Sequence, residues 1–113
     1  MRPGDNRSPA EQWREVALAW ADAEDAAQML DETKSAVLAQ MVSAEIKDDP
    51  KMSNAKAEML VKSSDKWRQH VESVVRAKTR ANKARIERDY YKMLVMEWTN
   101  SEANHRAASR MGT

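Results

Sequence analysis

Glycine is missing from the whole interior of this chain. Its two copies stand at Gly4 and Gly112, and proline occurs only at positions 3, 9 and 50 of 113 residues. Strands and tight turns draw on these residues, whereas helices exclude them, so the pattern selects an all-α fold. The hydrophobic share of 42% supports one modest core built from a few large side chains among many alanines, with eight Met, four Trp and no Phe.

Punctuation places the helices. Ser8, Pro9 and Glu11 form a capping box, with the hydroxyl of Ser8 accepting from a first-turn amide and Pro9 where a missing N–H costs nothing. No breaker follows until Asp48, Asp49 and Pro50. Ser53 or Asn54 can cap a short helix, and Ser63, Ser64 and Asp65 mark a second boundary, with Asp65 suited to a helix N-terminus. The expected plan is a flexible arm over 1–7 and one hairpin domain over 8–111. Its helices cover about 9–47, 53–62 and 65–110, the last ended by Gly112.

Two long helices around a compact connector fold back antiparallel, and both carry coiled-coil-like apolar stripes stepping by threes and fours. The first stripe reads Trp13, Val16, Trp20, Ala23, Ala27, Leu30, Lys34, Val37, Met41 and Ala44. The second reads Trp67, His70 or Val71, Val74, Ala77, Ala81, Ala84, Arg88, Tyr91, Val95 and Trp98. Opposed, they bring Trp13 to Trp98, Trp20 to Tyr91, Ala27 to Ala84, Leu30 to Ala81, Val37 to Val74 and Ala44 to Trp67. The aromatics therefore read as core rather than as a stacking platform for bases. Lys34, opposite Ala77, is a polar seam residue of the kind that fixes register. Leu38, Val42 and Ile46 are expected to be covered by Met59 and Leu60 of the short helix.

Charge divides the chain. Residues 1–50 carry five Lys/Arg against eleven Asp/Glu, and residues 51–113 carry fourteen against seven. Asp22, Glu24, Asp25, Asp31 and Glu32 form an acidic run. Arg76, Lys78, Arg80, Lys83, Arg85, Arg88 and Lys92 form a basic one. The hairpin register sets 22–32 beside 79–89, so the two runs are expected to neutralise each other and to specify pairing. If they do not, the basic run offers a salt-dependent nucleic-acid surface, and the acidic run can imitate phosphates toward the basic site of a nucleic-acid machine.

A single seam rich in alanine returns little for its length: ordering a residue costs about 1.5 kcal/mol, and burying a large apolar side chain returns roughly 1.5 to 3. Leu18, Ile86, Tyr90 and Met93 fall off the seam. They predict self-association, most simply a dimer forming a helical bundle, or a large partner surface. The segment from Trp98 through Arg106 to Arg110 passes beyond the reach of the first helix and is the expected contact for a protein partner.

No catalytic constellation is present. The absence of Cys removes thiolate chemistry and cysteine zinc sites. His70 and His105 have no second ligand at i, i+4 spacing, and no carboxylate sits in an apolar pocket. No cofactor, metal or enzymatic activity is therefore expected. The longest uncharged stretch, Ser35 to Ala44, is half what a membrane span needs, and no signal-type segment is visible, so the expectation is a cytoplasmic protein without membrane contact.

The segment SDKWRQHVESVVRAKTRANKARIERDYYKMLVMEWTNSEANHRAASR, Ser64 to Arg110, covers under half of the chain. It resembles small helical accessory proteins of tailed bacteriophages, with a Ser-Asp-x-aromatic-Arg start, an Ala/Arg-rich middle and a Trp, Ala and Arg-rich end. Such genes often lie among recombination and replication functions. The resemblance implies a phage accessory protein acting in the host cytoplasm on another protein or on DNA, and it transfers no catalytic residue.

Overall fold

A computed structural model describes residues 6–111. Gly112 and the first five residues of the expected arm lie outside the described residues. The described chain is all-helical, without a strand: α1 spans Pro9–Asp48, α2 Asn54–Lys62 and α3 Asp65–Met111.

Each boundary is made by the polar side chains nearest to it. At the start of α1, Glu11 N donates to Ser8 Oγ at 3.2 Å and Ser8 N donates to a Glu11 carboxylate oxygen at 3.4 Å, the reciprocal pair of a capping box. Arg7 does not trail away. Its guanidinium pairs with Glu15, and its carbonyl accepts from Gln12 Nε2 at 2.9 Å. After α1 the chain turns at Asp49, whose carboxylate accepts from Lys51 N and whose carbonyl accepts from Met52 N, around a Pro50 that has no N–H to place. Ser53, in extended conformation, caps α2 by accepting from Lys56 N. Ser64 then serves two helices at once: its hydroxyl donates to Val61 O at 2.6 Å and accepts from Trp67 N at 3.2 Å. The end of α2 and the start of α3 are thereby pinned to one residue.

By packing, the chain divides into two units, Ala23–Ala81 and Met1–Asp22 with Asn82–Thr113. In the Ala23–Ala81 unit, Ala27, Ala77 and Ala81 are buried together, with Ala23 and Leu30 packed against them. Small residues let the two helices approach closely, and each retains the best intrinsic helix former. Asp31 of α1 reaches Lys78 of α3 at 3.1 Å, and Leu38 lines one groove with Trp67 and Val71. As numbers rise on one helix they fall on the other, so within this unit the helices run antiparallel.

The short helix turns a different face inward from the one expected. Ala57 is fully buried and Val61 nearly so, whereas Met59 and Leu60 are exposed. Ala57 and Val61 are four residues apart on one face, and the small side chain of Ala57 permits a contact that Met59 would hold open. In the last turns of α1 Met41, Val42 and Ile46 are half-buried, as is Glu45 beside them, and Ala44, expected against Trp67, is exposed.

In the other unit Val16 and Tyr91 are buried, and Gln12 is only 2% exposed. Trp20 meets Arg88, whose guanidinium carbon lies 4.1 Å from the ring centroid. That partner sits within one turn of the expected Tyr91. A guanidinium over an indole face is an attractive pairing in its own right. The expected encounter of Trp13 with Trp98 does not occur as a ring contact among the described residues. Trp98 is 51% exposed, and every described residue from Met96 to Met111 is exposed.

Candidate interaction surfaces

Ile86, Tyr90 and Met93 share one face of α3 because they step by four and three residues. They are 62%, 49% and 47% exposed. Adjacent Tyr residues divide the helix between two environments: Tyr91 enters the core, and Tyr90 stands outside with its ring edge-on to that of Tyr91, centroids 5.6 Å apart at 87°. Leu18, grouped with these residues from sequence, is also exposed. It stands two positions from both Val16 and Trp20, which turns it to the outward face of α1. The face on α3 is therefore built without it. Beyond lies the end of α3, where Trp98, Arg106 and Arg110 are all exposed.

Neutralisation of the basic run is partial. Lys78 pairs with Asp31, but Arg76 pairs along its own helix with Glu72. Arg88 binds Asp89 at 2.9 Å and lies over Trp20, which makes it a packing residue rather than an available cation. Among the described residues, Arg80, Lys83, Arg85 and Lys92 form no ion pair, and all are exposed. The acidic run shows the same division. Asp31 is engaged by Lys78 and Glu32 accepts from Gln28, whereas Asp22, Glu24 and Asp25 are exposed without an ion pair among the described residues. Alanine packing in the Ala23–Ala81 unit and the Trp20–Arg88 contact in the other unit therefore weigh more, each within its own unit, than charge does, since an exposed ion pair contributes only about 0.2–1 kcal/mol.

Lys34 lines an open groove of about 510 Å³ with Asp31, Leu38, Lys62, Trp67 and Val71. Its half-buried stem fits a seam position where the aliphatic chain packs and the ammonium reaches outward. His70 lies with its ring centroid 5.8 Å from that of Trp67 and is half-buried, and His105 is exposed. Among the described residues no group of three or more His, Asp or Glu could hold a metal ion. No described helix is long and apolar enough to cross a membrane.

Gln12 was not foreseen as a core residue. Its signal was four-residue spacing to Val16 on the face that Trp13 also borders, which a polar side chain masks in any hydrophobicity count. Comparison of the chain with family models, with curated proteins and with solved structures finds no match.

Proposed function

We propose that this protein is a non-enzymatic helical interaction protein that self-associates through the outward face of α3 and presents the end of that helix to a protein partner. One observation supports the reading above others: Ile86, Tyr90 and Met93 form a regularly spaced apolar face in water. A helix presents such a face when a second helix is to cover it. The exposed Trp98 with Arg106 extends the surface in the residue types that dominate protein contacts. A phage accessory role, the setting that the resemblance of Ser64 to Arg110 suggests, would place the partner among nucleic-acid machinery.

A second reading, nucleic-acid binding by α3, draws support from Lys83, Arg85 and Lys92, which are exposed and form no ion pair among the described residues. Sedimentation at micromolar concentration, with and without a short labelled DNA, separates the two. The first reading predicts a dimer that ignores DNA. A strict monomer contradicts it, and a monomer that binds DNA at about 50 mM salt and releases it as salt rises favours the second.

A further inference from the structure

The apolar face of α3 is bracketed by opposite charges. Continuing its steps of three and four in both directions gives Lys83, Ile86, Tyr90, Met93 and Glu97, all exposed and all in the same packing unit. Lys83 lies seven residues before Tyr90, and Glu97 lies seven after it. At roughly 100° per residue these five positions stay within about a quarter of the helix circumference and point away from the side that holds Ala84, Arg88, Tyr91 and Val95. Neither Lys83 nor Glu97 forms an ion pair among the described residues.

We infer that this stripe pairs with the same stripe of a second copy, the two α3 helices running antiparallel about a two-fold axis near Tyr90. The inference rests on the self-association proposed above and adds its geometry. Such an axis brings Tyr90 of each copy together at the centre and sets Ile86 beside Met93 of the second copy. It also carries Lys83 to within one helical turn of Glu97 of the second copy, twice over by symmetry, a gap that two long side chains span. A parallel arrangement fails on charge: it stacks Lys83 on Lys83 and Glu97 on Glu97, like charges beside an apolar seam. Asp89, at the edge of the stripe, is already held by Arg88 and does not oppose the approach of its symmetry mate as a bare carboxylate.

The test is a charge exchange on the full chain, read as the dimer dissociation constant by sedimentation. Lys83→Glu alone and Glu97→Lys alone each convert two attractive pairs into two repulsive ones, and each is expected to weaken the dimer on the order of tenfold. The double variant, Lys83→Glu with Glu97→Lys, restores attraction and is expected to return to within about threefold of wild type. Both positions are exposed, so helix content by circular dichroism should stay unchanged in all three variants. A dimer that ignores the single changes, or whose double variant is no tighter than the singles, overturns the antiparallel pairing while leaving self-association itself standing. A monomeric wild type overturns both.

Discussion

Trp67→Ala is expected to destabilise the protein by about 3–5 kcal/mol, the range for removing a large buried aromatic side chain. Trp67 is buried, stacks near His70, borders the groove with Leu38 and Val71, and starts α3 through its amide on Ser64. Among the described residues, no other buried hydrophobic side chain of this unit is larger than valine. The loss therefore leaves a void that alanines cannot fill. Trp98→Ala provides the contrast, because Trp98 is half-exposed and its removal should shift stability by no more than about 0.5 kcal/mol. Urea denaturation of both variants checks the pair. Similar losses at the two positions would mean that the core assignments are wrong.

Ala81→Leu is the second large effect, and it works in the opposite sense, by excess volume. Ala81 is buried with Ala27 and Ala77 between the two helices. Leu is nearly as good a helix former as Ala, so any loss reports packing rather than propensity. Forcing the added atoms into this contact should cost about 1–3 kcal/mol. The same change at the exposed Ala26 should be nearly neutral, within about 0.5 kcal/mol. Thermal melts of the two variants provide the measurement, and equal midpoints would refute close alanine packing.

Helix positions were legible from sequence because their signals are local. Ser8 with Glu11, Ser53, and Ser64 before Trp67 each place a hydroxyl where a first-turn amide needs an acceptor, and the hydrogen bonds are found there. The apolar stripe was legible for the same reason, since spacing alone puts Val16, Ala27, Val74, Ala77, Ala81 and Tyr91 inward. What sequence could not supply was the competition between partners. The stripes set Trp20 toward Tyr91 but did not point to Arg88, one turn away, whose guanidinium lies over the indole. The basic run looked matched by the acidic run, yet Arg76 and Arg88 found carboxylates on their own helix, where an i, i+4 or adjacent neighbour requires no register at all. Met59 and Leu60 outrank Ala57 in hydrophobicity, but close approach of a short helix favours the smaller side chain.

Of the candidate surfaces, the exposure of Ile86, Tyr90 and Met93 followed from their displacement off the stripe. Trp98 reads two ways from sequence, since its spacing continues the stripe toward Trp13 while it also opens the segment that passes beyond the first helix. Its 51% exposure agrees with the second.

Antiparallel pairing of the two long helices within the Ala23–Ala81 unit underlies these conclusions, and a chain without native cysteine allows a clean test of it. Leu38→Cys combined with Val71→Cys places two thiols on one groove. Treated with a short thiol-reactive linker under native conditions, this variant should cross-link within a single chain, as shown by the mass of one chain plus one linker on denaturing analysis and loss of both free thiols. A parallel arrangement separates the two positions by roughly twenty residues along the helix, about 30 Å. Free thiols persisting in the folded protein, with cross-links forming only between chains, would contradict the fold described.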